Sequence, residues 1–353
     1  MHHADGHTLS YASWETRGWC RMERMVRELA RDDGFIITVQ TANNPTLAWN
    51  VNGVGKAPGS GEFSFEIDRV RVGQVILRMV WNKLQYSLAN GELHNYRFLL
   101  SLHHKHFEGV PGLHPIEGLV SGFQTEIDPA DDPGGFLVAS FLHDRMLRKV
   151  TDRDTLGWSP LCFAVVQGDA ALVKALLDRK ADANDHLPLN KKEANLRRKM
   201  SVLSLAAAYH NNEVVNILLA ARANVDGGGG RPGTALCWAA SSDNVSAVRI
   251  LCEANADPHI KVFPDTSPFK AACALGSVKT MKEMLMHFPV VSLRFCLHIA
   301  LVFFGAGETV SSLIEAAADI NEQLRIPPSR VTWWTIVKML HARHHFSPSA
   351  LTY

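Results

Sequence analysis

The sequence predicts a mainly α fold: a solenoid of stacked helix pairs with helical caps, preceded by a small incomplete α/β segment. Three observations carry this prediction. A seven-residue stretch, Thr234-Ala-Leu-Cys-Trp-Ala-Ala240, recurs thirty-three residues earlier as Ser201-Val-Leu-Ser-Leu-Ala-Ala207 and thirty-three residues later as Ser267-Pro-Phe-Lys-Ala-Ala-Cys273. Weaker copies begin at Ser159 and Phe295. A second helix in each unit repeats its apolar positions: Val173, Val215, Val248, Met281 and Val310 align, and so do Leu176, Leu218, Leu251, Met284 and Leu313. These positions are three residues apart within each unit and share one helix face. Finally, Ala181-Asp182, Ala223-Asn224, Ala256-Asp257 and Ala318-Asp319 close the units with turn chemistry. Phe288-Pro289 takes that place in the fourth unit, which is short.

Each first helix has a small residue at the same position (Ala164, Ala206, Ala239, Ala272, Ala300), which lets neighbouring helices approach closely. Ser159, Ser201, Thr234 and Ser267 stand where a side-chain oxygen caps the helix start, and Pro160 and Pro268 suit its first turn. One such unit cannot bury its own apolar face, whereas several stacked units can. Over about 154–322 the sequence resembles the ankyrin-repeat family, whose helix–turn–helix unit is about 33 residues long.

Composition narrows the function classes. The 353 residues are 46% hydrophobic and 20% charged, with a net charge of +1. That balance argues against a dominant electrostatic role on nucleic acid or an anionic membrane. No apolar run is long enough to span a bilayer; the nearest, 290–305, is broken by Arg294 and His298. The six cysteines have no metal-knuckle spacing, and those inside repeat helices stand at apolar or small positions, as reduced core residues do. No signal peptide is evident. Both chain ends are abrupt, and truncation at either end stays open.

Taken in order, residues 1–60 form the α/β segment. A helix pattern from Met22 to Ala30 feeds an apolar strand at 34–40. Trp19-Cys20-x-x-Glu23 before that helix resembles the second half of a Toll/interleukin-receptor-like (TIR) domain. The resemblance covers about 30 residues, and the first strands and ligand loop of that family have no counterpart. In that family the residue matching Glu23 can be the acid of an NAD-cleaving activity, so Glu23 is the one catalytic candidate; the alternative is a solvated helix residue beside a Trp19–Cys20 core. The glycine-rich run 52–61 fails as a phosphate loop, since Ala57 rather than Ser or Thr follows Lys56.

Residues 61–133 read as a helical hairpin and a loop connector. Val72, Val75, Ile76, Met79, Val80, Leu84 and Leu88 form one helix face, Asn90-Gly91 a turn, and Tyr96, Leu99, Leu100 and Leu102 a second helix. This hairpin is either a degenerate stacking unit or the cap of the preceding segment. His103, His104 and His106 close it, either as a metal cluster or, the commoner case, as polar groups at a helix C-terminus. Residues 134–322 comprise an N-terminal cap helix, with Leu137, Phe141, Leu142, Met146 and Val150 on its apolar face, and five repeats. Residues 323–353 contain a last helix, Arg330–His345; His341, His344 and His345 lack the Glu of a metalloprotease motif. The second repeat carries an insertion near 185–199 with Lys191, Lys192, Arg197, Arg198 and Lys199. It reads as a solvated basic loop, an acidic-partner contact or a nuclear-import signal.

These readings predict a protein-interaction scaffold or adaptor: a cytoplasmic monomer that is not an enzyme, needs no cofactor or metal, and has other proteins rather than a specific nucleic acid as partners. The resemblance to ankyrin proteins implies contacts through finger loops and the ends of the first helices. Mapped onto this chain, they fall on Trp158, Gln167, Met200, Tyr209, Arg231, Ser242, Phe263, Thr266 and Leu275. Several are of types enriched at binding hot spots. Trp238, in mid-helix, reads as core. The alternative is a signalling protein whose TIR-like segment has or had NAD-cleaving activity, with the repeats as its recruitment module.

Overall fold

The computed structural model describes residues 14, 16–30, 37–41, 44–47, 56–190, 196–228, 233–262, 266–288, 291–302 and 307–322. Two units divide the chain: Met1–Ala181 with Pro188–Arg198, and Asp182–Leu187 with Lys199–Tyr353. The division thus falls among the repeats, at the insertion, rather than at the expected 133/134 boundary. The expected C-terminal helix at 330–345, with its histidines, lies outside the described residues.

In the first unit, α1 (Gly18–Glu28) precedes two strands, β1 (Ile37–Thr41) and β2 (Asn44–Leu47). The strands pair antiparallel, with Ile37 opposite Leu47, so the expected strand at 34–40 belongs to a hairpin. Helix α2 (Glu66–Ala89) buries Val72, Ile76, Val80 and Leu84 completely. Val75 is 40% exposed, because a 24-residue helix with neighbours on one side needs only a narrow apolar stripe. These side chains join Met25, Tyr96, Leu100, Phe107 and Ile116 in one core.

Helix α3 (Leu93–His106) serves a second purpose. It packs on α5 (Pro160–Gln167), the first helix of the first repeat, while α4 (Pro133–Asp144) packs on α6 (Ala170–Asp178), the second helix of that repeat. Together α3 and α4 take the place of a preceding repeat, although residues 107–132 separate them in sequence. The expected cap helix is therefore half of a composite cap. Polar side chains join its halves: Tyr96 Oη donates to the Asp144 carbonyl at 2.8 Å, and the Arg97 guanidinium donates to the Arg145 and Met146 carbonyls at 2.6 and 3.1 Å. These groups lie at the C-terminus of α4, where the last carbonyls lack helical partners and a cation is favoured. Helix α4 starts on Pro133 with the Asp132 carboxylate accepting from Gly135 N–H at 2.7 Å. It stops at Asp144, earlier than its apolar pattern implied; Met146 is left-handed (φ 52°) and 49% exposed, outside the apolar face assigned to it.

The second unit holds repeats two to five: α7 (Val202–Ala208) with α8 (Asn212–Ala220), α9 (Ala235–Ser241) with α10 (Val245–Glu253), α11 (Pro268–Leu275) with α12 (Val278–His287), and α13 (Cys296–Val302) with α14 (Gly307–Glu315). The first helices pack in the order α7, α9, α11, α13, and the second helices in the order α8, α10, α12, α14. Ala206, Ala239, Ala272 and Ala300 are fully buried in the first row, and Leu218, Leu251, Met284 and Leu313 in the second. The predicted caps form across both units: Ser159, Ser201, Thr234 and Ser267 accept from the N–H three residues on, at 3.3, 3.1, 3.3 and 3.3 Å.

Backbone conformation repeats with the same register. Gly168, His210, Asp243 and Gly276 are left-handed after the first helices. Lys180, Arg222, Asn255 and Ala317 are left-handed after the second. Such a residue ends a helix by turning the chain back on itself, which glycine does without strain. At the short fourth unit Phe288 has φ −127° instead, and the signal is absent there.

Candidate partner-binding surface

The repeats present three kinds of position to a partner: finger turns, first-helix ends, and outer faces of second helices. The finger turns of the second unit are joined by side-chain to backbone bonds. Asn184 Oδ1 accepts from Asn224 N–H at 2.7 Å, and one repeat on Asp226 Oδ1 accepts from Asp257 N–H at 3.1 Å. The turn residues expected from sequence thus tie successive repeats together. At the insertion, Leu187 N–H donates to the Met200 carbonyl at 2.9 Å and Val202 N–H to the Asp185 carbonyl at 2.9 Å, forming a hairpin stem. A short antiparallel bridge from Val262 to Thr266 forms the next finger but one.

The first-helix ends are also cross-linked. Asn244 Nδ2 donates to the Ala207 carbonyl at 2.9 Å, and His210 Nε2 lies 2.9 Å from the Ser242 carbonyl. The Asp243 carboxylate accepts from Thr280 N–H at 3.1 Å. Outside, Arg249 makes two bonds to the Glu283 carboxylate, at 2.8 and 3.0 Å, and His287 adds a third at 3.2 Å. The bonds from Arg249 hold the Glu283 carboxyl below the usual range, against a smaller effect of burial.

This geometry sorts the sequence candidates. Gln167, Ser242 and Leu275 occupy one register position at the ends of α5, α9 and α11, and all are partly exposed, as is Thr266 in its finger. Gln167 has an internal task as well, since its carbonyl accepts from the buried Arg145 guanidinium at 2.5 Å. Three candidates are corrected. Trp158 and Met200 are wholly buried and Tyr209 is 2% exposed. Trp158 fails as a contact residue because it is wedged among His94, Phe98 and Phe163, with ring centroids 5.1 to 5.7 Å away. Met200 lies at the foot of the insertion hairpin, and Tyr209 shares the register of Gln167 but turns inward, where burial drives its phenol pKa upward. Trp238 is core, as its place in the helix suggested. Arg231 and Phe263 lie outside the described residues.

Other candidates were judged by residue type and have different roles. His103 and His106 are 6% and 4% exposed, so they are core rather than polar groups at a solvated helix end. The two ring nitrogens of His103 are both engaged, Nδ1 at 2.6 Å from the Leu100 carbonyl and Nε2 accepting from Ile116 N–H at 2.8 Å. Sequence reasoning also missed the contact of His94 Nδ1 with the fully buried Asp154 carboxylate at 2.5 Å. Asp154 Oδ1 in addition accepts from Leu156 and Trp158 N–H, at 2.9 and 2.8 Å. The signal for it was Asp154-x-x-Gly157 ahead of the first helix cap, an Asx-turn pattern. Glu23 is exposed on α1, and Trp19 is 45% exposed rather than core. A catalytic acid works from within a concavity lined by convergent polar groups, and the described residues around Glu23 give the NAD-cleaving reading no support.

The fold and this surface define a helical repeat protein built to present loops and helix ends from a rigid core. Comparison with known families then gives the particular class. Residues 183–262 match the family described as ankyrin repeats (3 copies), and residues 156–186 match the single ankyrin repeat. Residues 156–262 therefore carry ankyrin repeats. No curated protein matches it. Among solved structures it is similar to the human ASB11 ankyrin repeat domain, with 19% identity and a TM-score of 0.44, over 63% of this chain and 100% of that one. The repeats mark a protein-interaction module. No helix among the described residues is long and apolar enough to cross a membrane.

Proposed function

We propose that the protein is a non-catalytic scaffold or adaptor, monomeric and cytoplasmic, that grips a partner protein along one edge of its repeats. The observation that carries this reading is the common register of Ser242 and Leu275 in the second unit. Each is partly exposed at the end of a first helix whose central alanine, Ala239 or Ala272, is fully buried. A row of loosely covered side chains on a fully packed scaffold suits binding, because its groups are held in place before the partner arrives. Cys162, Cys237, Cys273 and Cys296 are all buried and pack as small apolar residues.

The test is affinity capture with the full chain and with a triple variant, Ser242→Arg, Thr266→Arg and Leu275→Arg, after circular dichroism establishes equal helicity. These positions tolerate a long exposed side chain, whereas truncation of Trp158 or Tyr209 would only loosen the core. A partner captured by the parent chain and lost from the variant is the expected result. Identical capture by both would overturn the reading.

A further inference from the structure

We propose that the loop before the first repeat and the insertion after it form one basic edge that docks an acidic polypeptide segment carrying an apolar side chain. This deepens the protein-interaction reading and rests on it. All the residues concerned belong to the first unit. Arg148, Lys149 and Arg153 are exposed in the loop, and Arg197 and Arg198 are exposed in the insertion.

A chain of contacts brings the two segments together. The Arg153 guanidinium donates to the Gly157 carbonyl at 3.2 Å. Gly157 in turn lies flat against Pro188: a Cβ on it would stand 2.4 Å from Pro188 Cγ, and its φ of +77° is one that side chains rarely adopt. Two residues beyond Pro188, Asn190 Oδ1 accepts from Arg198 N–H at 2.7 Å. The insertion is thus seated on the finger turn of the first repeat.

The acids of the loop bond within it. Asp152 folds its carboxylate back on the turn, still open to solvent, and accepts from the Arg148 and Lys149 N–H groups at 2.7 and 2.9 Å. The Asp154 carboxylate is wholly buried. Both acids thus bond backbone groups of the loop, and the exposed Arg148, Lys149 and Arg153 outnumber them. Leu189, between Pro188 on the Gly157 turn and Asn190 at Arg198, is 48% exposed, an apolar side chain in the segment that joins the two basic stretches. Buried apolar anchors surrounded by charge are the usual anatomy of a selective protein contact. The net charge of +1 makes this field local. That suits a short acidic segment better than a nucleic acid duplex, whose affinity grows with the number of phosphates neutralised.

The test is fluorescence anisotropy on the full chain. The probe is a labelled synthetic peptide of Asp and Glu around two Leu; a second peptide has Asn and Gln for the acids, and a labelled DNA duplex is the third arm. The acidic peptide should bind, and raising the ionic strength from about 0.05 to about 0.3 M should weaken it. Arg197→Glu with Arg198→Glu, and separately Arg148→Glu with Lys149→Glu, should each weaken it by about tenfold. Leu189→Ser should weaken it by roughly fivefold. The hydrogen bonds to Asp152 come from backbone groups of residues 148 and 149 and survive the side-chain changes, although the reversed charges repel its carboxylate, so a thermal melt checks each variant. If a charge-reversed pair melts lower, Arg148→Gln with Lys149→Gln, or Arg197→Gln with Arg198→Gln, replaces it. The proposal is overturned if the neutral peptide binds as tightly, if folded variants keep full affinity, or if the duplex binds more tightly than the acidic peptide. Should the acidic peptide fail while the Ser242, Thr266 and Leu275 variant still loses its partner, the scaffold reading stands and the basic edge does not.

Discussion

The two units of this chain bury different chemistry. In the second, the interior is mainly Ala, Val, Leu and Met with Ser and Thr caps, and besides these caps it buries Asp185, Asn244, Glu283 and His298 among the described residues. In the first, the interior also holds His94, Arg97, His103, His106, Arg145 and the side chain of Asp154. An apolar interior needs a repeated shape, and shape repeats in sequence. A polar interior needs individual partners, each found once. The contrast predicts that packing defects will dominate in the second unit and protonation in the first.

The largest expected effect is Ala239→Glu. Ala239 is fully buried in the middle of the first-helix row, between α7 and α11. A longer, charged side chain there adds overpacking to the desolvation of a carboxylate, together above about 4 kcal/mol. Hydrogen exchange read by mass spectrometry should show protection lost across repeats two to four. Protection unchanged there would show that the helix register is misassigned. A loss spreading equally over residues 66–144 would instead erase the distinction between the units.

Acid should reverse the pattern. Burial lowers the pKa of His106 and of His104 to about 4, and that of His103 in the same direction. Their neutral forms are the ones that fit: His103 Nε2 accepts a bond from Ile116 N–H, which protonation would abolish. Above pH about 6.5 these rings are neutral folded or unfolded, and their fit is fully available. As pH falls from there towards about 4, the unfolded chain binds protons that the fold refuses. Stability drops over that window, by on the order of 3 kcal/mol for a ring as buried as His106. Exchange protection of α3 and α4 should therefore fall before that of α9 and α11. His106→Leu, of similar volume and without a titrating group, should flatten the pH dependence. Loss of protection at the same pH in both units would count against this assignment.

The same contrast explains how far the sequence could be read. Ser201 and Thr234 declare a helix start by residue type and position alone, because the groups they bond are three residues away. Ala206 and Ala239 are recognised because each has the same neighbour one repeat along. The pairing of α3 with α4 has no such signature: Tyr96 and Arg97 reach carbonyls about fifty residues on, with the loop 107–132 between. Trp158 and Tyr209 were placed at the surface by their positions in the repeat, and only packing reveals that they face inward. Gln167, Ser242 and Leu275 share the register of Tyr209 and are partly exposed, so register alone does not decide which side chain faces outward.

The caps allow the smallest and most local test of that register. Thr234→Ala removes the acceptor of Cys237 N–H together with a buried methyl, and losing the acceptor should cost about 1 kcal/mol. Ser267→Ala should cost about the same at Lys270 N–H, with Pro268 still holding the first turn. The two bonds lie one repeat apart on different helices, so the double variant should lose the sum of the single losses in urea unfolding. A Thr234→Ser control keeps the oxygen and loses only the buried methyl, about 0.8 kcal/mol, so Thr234→Ala should cost about 1 kcal/mol more than it. If Ala and Ser at 234 destabilise alike, the hydroxyl is not the capping group there, and the helix start was inferred from a pattern that the backbone does not use.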